Sequence, residues 1–358
     1  MKFIYLFLLV PCIARAQPSQ KTSMRLDKIF RSYFHDSEPG GAVLIARDGK
    51  VIYEGAFGVA DIGMKAAITP QTLFNTGSIS KTFVAYGILH LAARNRLSLD
   101  DELYKYFPDF RDTAIARKVK LHHLLTHTSG LPDSRKVGEE RAFYLVAKDA
   151  ENFAPLKETT NLLFEPGTRY KYSNPAFNGL ALIIEMVSGM KWQNYIRDSI
   201  FIPAGMLTST ITDGPHPESG VSHGYVKNKE GQFEELDYGE EPTFAAAGNG
   251  GVWSSVQELW KYEQAIQKNI FLTEEWTKKS RTVFPYRGWM DETPSRLGLS
   301  WFLTRELNME MKGHTGSQGG FISDYLWLPE KKLFYVLLCN IPRPINEIRA
   351  AVLETVLK

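Results

Sequence analysis

Ser78-Ile79-Ser80-Lys81 places a lysine three residues after a serine. At a helix start, positions i and i+3 share a face, so Lys81 Nζ can reach Ser78 Oγ. A serine hydroxyl is a weak nucleophile until a neighbour takes its proton. Lysine can take it only when neutral, and with a free pKa near 10.4 about one lysine in two thousand is neutral at pH 7. The pair therefore calls for a buried lysine, in which desolvation penalises the ammonium form. Backbone N–H groups at the helix start would favour the negative charge that develops during attack. By itself the spacing is weak, since roughly one or two such matches are expected by chance in this composition. A second match does occur, Ser188-Gly189-Met190-Lys191, but Gly189 is a natural helix stop and would spoil the shared face.

Two further short patterns follow in order, Tyr172-Ser173-Asn174 and His314-Thr315-Gly316. Tyr172 and Asn174 flank one residue, so on an extended or turning loop both side chains can point the same way. Tyr172 could relay a proton to a leaving group, its phenol helped by a neighbouring Lys81 charge. Asn174 can donate and accept at once, which would orient Lys81 and a substrate amide. His314 and Thr315 would stand beside the substrate on a strand edge, where Gly316 removes a side chain that would block close approach. The Ser317 N–H, with that of Ser78, would form an oxyanion hole. Requiring three such patterns in this order lowers the chance expectation to a few per cent at most. S-x-x-K, S-D-N and K-T-G are the motif set of class A β-lactamases and penicillin-binding proteins.

The elements that must position these residues are legible in outline. An amphipathic stretch near Met24–Phe34 predicts a helix, and Ala42–Ile45, Asp48-Gly49 and Val51–Tyr53 predict a hairpin. Ser78–Arg94 is apolar on nearly every face, the pattern of a buried helix. A helix from about Pro175 would end at Gly189. Phe321–Leu328 and Leu333–Cys339 predict strands joined at Pro329–Lys332, and Ile345, Ile348, Val352 and Val356 line one face of a last helix. Strands at both ends with helices between them suggest an α+β fold, one antiparallel sheet closed by its termini with a helical insert. The sheet would take residues from about 17–70 and 240–358, the helical part about 75–235.

The chain has 358 residues, 44% apolar and 23% charged, enough for one or two packed domains. Its formal net charge of +2 comes without a basic stripe, which argues against nucleic acid as a partner. Lys2, an apolar run from Phe3 to Val10 and Ala14-Arg15-Ala16 predict a signal peptide over residues 1–16, hence a secreted or periplasmic protein without a stable membrane anchor. Cys12 would leave with it. Cys339, the other cysteine, sits in an apolar run and reads as a small core residue. No H-E-x-x-H occurs, so neither metal nor cofactor is expected.

With these motifs in place the sequence resembles the serine β-lactamase-related and penicillin-binding protein family, above all class C β-lactamases and DD-peptidase-like carboxypeptidases and esterases. The resemblance covers nearly all of the chain beyond the leader. It includes Gly77, Leu97-Ser98-Leu99-Asp100-Asp101, Leu124-Leu125-Thr126-His127-Thr128-Ser129-Gly130-Leu131, Pro166-Gly167 and Gly250-Gly251. It implies an antiparallel sheet flanked by helices with a helical subdomain across the active-site cleft. It also implies Ser78 as the acylated nucleophile, Lys81 as base, Tyr172 as acid/base partner and Asn174 as orienting group, with His314 and Thr315 beside the substrate. His127 matches a family motif and is read as structural, holding a loop. His122 and His123 are adjacent and would diverge on any regular element.

Two departures shape the expected activity. Tyr-x-Asn replaces S-D-N, and His314 replaces the lysine of K-T-G. Histidine, with a free pKa near 6.5, is mostly neutral at pH 7 and offers no permanent cation to a substrate carboxylate. Arg296 or Arg305 could supply that charge. The expectation is a serine hydrolase forming an acyl-enzyme with a small-molecule or peptide substrate, a DD-peptidase-, carboxypeptidase- or esterase-like enzyme. The alternatives are a class C-like β-lactamase and a non-turnover penicillin-binding sensor.

Overall fold

Asp48 and Gly49 take φ of 51° and 77°, the two positive angles that a tight two-residue hairpin turn needs. They join β1 (Gly41–Arg47) to β2 (Lys50–Phe57). In the computed structural model, which describes residues 20–135, 147–211, 220–236, 247–286, 288–292 and 296–358, this hairpin supplies two strands of the main sheet. The rest comes from the other end of the chain: β3 (Phe302–Glu306), β4 (Met309–Gln318), β5 (Phe321–Leu328) and β6 (Leu333–Cys339). The six strands run in the order β3-β4-β5-β6-β1-β2, and every neighbouring pair is antiparallel. The two ends meet where β1 pairs with β6, Gly41 opposite Cys339.

Alternation along the central strands sorts side chains to two cores. Val43, Ile45, Tyr335 and Leu337 pack with Leu26 and Phe30 of α1 (Gln20–Tyr33) and with Ile348 and Val352 of α6 (Ile345–Val356). Ala42, Leu44, Val336 and Leu338 face the opposite core, which holds α2 (Ser80–Ala92) and α5 (Val256–Gln267). Every residue of α2 is buried, as its lack of a polar face requires. Cys339 is fully buried and its thiol is pushed up by desolvation, so it is a core residue as expected.

The helical part contributes α3 (Asp149–Lys157) and α4 (Asn174–Ser188). Ser173 Oγ accepts from the Ala176 N–H at 3.3 Å, Pro175 occupies the first turn, and Gly189 at φ 74° ends the helix. That end separates Ser188 from Lys191 and disposes of the second S-x-x-K match. The predicted leader over residues 1–16 lies outside the described residues.

Candidate active site

Gly77 adopts φ 53° and opens a 3-10 turn, Gly77–Ile79, that leads into α2. The turn is fixed at its start by the Gly77 N–H donating to Asn75 Oδ1 at 2.8 Å. Ser78 is the one partly exposed residue between buried Gly77 and Ile79. One helical turn on, Lys81 is fully buried. Its Nζ lies 3.0 Å from Ser78 Oγ and donates to the Asn249 carbonyl at 2.6 Å. The ring centroids of Tyr172 and Phe177 are 5.2 Å and 5.8 Å from the same nitrogen. Desolvation, and secondly the Arg135 guanidinium, holds the Lys81 pKa well below its ordinary value. Among the described residues no carboxylate pairs with it to offset the cost of its charge.

Sequence reasoning assigned Asn174 the task of orienting Lys81; in the structure the backbone carbonyl of Asn249 holds Nζ, and Asn174 lines the cleft above. The signal for Asn249 was faint, the Gly250-Gly251 pair that follows it, because a carbonyl leaves no mark on residue type. Tyr172 hydrogen-bonds Ser78 through its hydroxyl, yet burial raises its pKa despite that bond. The help expected from a Lys81 charge is therefore weakened, since burial pushes Lys81 itself towards its neutral form.

The third motif sits on β4, beside the nucleophile turn. A Cβ at Gly316 would lie 2.1 Å from the Thr76 carbonyl oxygen and 3.0 Å from the Ser78 nitrogen. One at Gly77 would lie 2.7 Å from the Ser317 nitrogen. Both glycines are required by this contact, which brings the Ser78 and Ser317 N–H groups to one corner of the cleft. Ser323 Oγ, donating to the Thr76 carbonyl at 2.8 Å, ties β5 into the same junction. His314 is buried; its Nδ1–H donates to the Thr315 carbonyl at 2.6 Å. Desolvation first, and Lys81 second, push its pKa down to about 3. Position 314 is thus neutral across the physiological range.

The cleft has a volume of about 490 Å³, and Ser78, Tyr172, Asn174, His314, Thr315, Gly316 and Ser317 all line it. Lys81 lies beneath its floor. Asn249, Phe302 and Gln318 join the wall without having been anticipated. Phe302 packs edge-on against His314, with ring centroids 5.1 Å apart. An adjoining cavity of about 260 Å³ shares Phe302, His314 and Thr315 and reaches Arg349, which donates to both oxygens of Asp324 at 2.8 Å. Neither arginine proposed from sequence reaches the cleft: Arg296 is exposed, and exposed Arg305 donates to the Asn308 carbonyl at 3.0 Å.

His127 Nδ1 accepts from the Ser173 N–H at 3.0 Å, which holds the loop carrying Tyr172 as expected, and the ring stacks on Tyr172 at 4.3 Å. His122 and His123 do not diverge. Their rings lie 4.2 Å apart, His122 stacked on Phe284 and His123 on Tyr286. No cluster of three potential metal ligands occurs among the described residues.

A serine, a buried lysine and a tyrosine meeting where an antiparallel sheet faces a helical part define the β-lactamase-fold serine hydrolases as the class of this molecule. The chain belongs to the Beta-lactamase family, whose model matches residues 26–355. It is 29% identical over 318 residues to "Penicillin-binding protein 4*" of Bacillus subtilis (strain 168), covering 84% of this chain and 67% of that protein. It is 32% identical over 181 residues to a "D-aminopeptidase" of Brucella anthropi, covering 49% of this chain and 34% of that protein. Among solved structures it is similar to the octameric penicillin-binding protein homologue from Pyrococcus abyssi, with a TM-score of 0.79 and 28% identity, covering 94% of this chain and 76% of the other.

Proposed function

We propose that the protein hydrolyses an amide or ester through an acyl-enzyme on Ser78, with a peptide or small ester lacking a free carboxylate at the third motif as substrate. The observation that carries this reading is Lys81 Nζ, buried and held 3.0 Å from Ser78 Oγ with the Asn249 carbonyl as its other hydrogen-bond partner among the described residues. A neutral amine there can accept the serine proton as Oγ attacks the substrate carbonyl. The tetrahedral oxyanion would face the N–H groups of Ser78 and Ser317. Tyr172, kept protonated by burial, can donate to the departing amine or alkoxide and recover its proton through Lys81. Water then attacks the acyl carbonyl by the same route in reverse, freeing the acid.

Neutral His314 and the apolar ring of Phe302 line the wall where a K-T-G lysine would supply a cation. This favours D-aminopeptidase-, amidase- or esterase-like substrates over β-lactams, because the guanidinium in the adjoining cavity, Arg349, already donates to both oxygens of Asp324. The apolar stretch ending at Ala14-Arg15-Ala16 supports export of the chain, and mass analysis of the mature N-terminus would test that. The function itself is tested by intact-mass spectrometry of the protein mixed with D-amino-acid amides, p-nitrophenyl esters and a penicillin in turn. Turnover of an amide or ester, abolished in a folded Ser78→Ala variant, is the expected result. Undiminished turnover in Ser78→Ala would reject the nucleophile, and rapid penicillin loss with no other turnover would reject the substrate class.

A further inference from the structure

Asp149 is the first residue of α3, buried, and it has no part in the chemistry derived above. Its carboxyl group receives three donors: Oδ1 accepts from the Gly248 N–H and from Asn178 Nδ2, both at 2.8 Å, and Oδ2 accepts from Trp192 Nε1 at 2.8 Å. The 247–251 turn fastened in this way is the one that presents the Asn249 carbonyl to Lys81. Asn178 Nδ2 also donates to Asn249 Oδ1 at 3.1 Å. The far end of the turn is anchored to α2, the Val252 N–H donating to Ser80 Oγ at 3.0 Å. Gly248 can lie here only because it lacks a side chain; a Cβ would be 2.7 Å from that of Ala181 on α4.

We infer that Asp149 is a positioning residue for Lys81, fixing through the 247–251 turn the carbonyl that holds the amine against Ser78, and that it does so only as the carboxylate. Three N–H groups point at its oxygens, and among the described residues no acceptor does. A proton on Oδ2 would confront the Trp192 N–H and release that bond. The inference rests on Ser78 being the nucleophile activated by Lys81.

Burial raises the Asp149 pKa to about 7, against the pull of its donors and with a further push from Glu185 on α4. Glu185 is the charged group facing it from α4; Trp192 and the 247–251 turn bring neutral donors, and Lys148 just before α3 and Glu151 in its first turn flank it. Lys81 lies beyond Asn249. The holding contact therefore switches within the neutral range, lost as pH falls and restored as it rises.

The test is the rate of Ser78 labelling by a fluorophosphonate, in which the serine oxygen displaces fluoride, followed by intact mass from pH 5.5 to 8.5. The wild-type rate is expected to climb about tenfold through an apparent pKa near 7. Asp149→Asn should stay at the low rate throughout and converge with wild type at acid pH. A purely structural role would instead lower both ends alike. Trp192→Phe keeps an aromatic ring in the site, though a smaller one, and removes one donor to the carboxylate, so it should move the acid limb up by about one pH unit. Lys81 is present in every variant, so a limb missing from Asp149→Asn alone belongs to the carboxylate. Labelling at wild-type rates in Asp149→Asn, or an unmoved limb in Trp192→Phe, would overturn the inference while leaving the hydrolase reading intact. If Asp149→Asn does not fold, Trp192→Phe decides. A wild-type protein never labelled at Ser78 would bring down both.

Discussion

Lys81 and His314 are nitrogen bases buried beside one serine, and desolvation drives both towards the neutral form. For Lys81 neutrality creates the base. For His314, whose Nδ1–H is committed to the Thr315 carbonyl, it removes a cation from the third motif. The pKa of about 3 places His314 titration below the working range, so His314→Gln should leave the shape of the kcat/KM profile between pH 5 and 8 unchanged. Rates measured across that range for the folded variant check this, and disappearance of the acid limb would show that His314 titrates in catalysis after all. Residue types made Ser78, Lys81, Tyr172 and His314 legible in the sequence, because each chemistry demands a side chain. The Asn249 carbonyl and Asp149 were not legible, one because it is backbone, the other because its donors at 178, 192 and 248 meet it only in the fold. The Lys81 charge expected to assist Tyr172 is weakened for a related reason: residue type implies only the ordinary affinity for a proton in water, and burial then changes it.

At the scale of elements, the cleft depends on β4 approaching the Gly77–Ile79 turn closely enough to bring two backbone N–H groups together. Gly316 is the point of contact, with the Thr76 carbonyl at 2.1 Å and Ser323 Oγ at 2.4 Å from where a Cβ would stand. Gly316→Ala must push β4 off the turn, since the obstacle on one side is backbone. Loss of one oxyanion donor from its place predicts a fall of about 10²- to 10³-fold in kcat, with about 1–3 kcal/mol of stability lost to overpacking. Steady-state kinetics with denaturant unfolding on the same preparation would measure both, and near-native kcat would mean the two N–H groups do not act as a pair. The Asp48-Gly49 hairpin, the wholly apolar α2 and the Ser173–Gly189 limits of α4 were all readable, because turn chemistry, periodicity and caps are local. The pairing of β1 with β6 was suggested only by strands at both ends of the chain. Its register follows from two faces that must each meet a different core.

The whole molecule separates stability from chemistry by the thickness of its sheet. Ser78 and Lys81 lie with α2 and α4 on one side and α1 packs the other; α6 joins that second core, and only its Ile345 and Arg349 reach the cleft and the cavity beside it. Phe30 is fully buried in that second core, stacked at 5.6 Å on both Tyr53 and Phe57. Neither partner touches the cleft. Phe30→Ala removes a large apolar side chain from a site walled by rigid strands, where collapse is limited, so the expected cost is about 3–5 kcal/mol. The separation further predicts that the folded fraction of Phe30→Ala acylates Ser78 at close to the wild-type rate. Urea unfolding followed by fluorescence would give the first quantity, and labelling rate per folded molecule, at a urea concentration well below the transition, the second. A drop of tenfold or more in that rate would mean that the outer core sets the position of β4 against the nucleophile turn, and that the sheet transmits strain between its faces instead of isolating them.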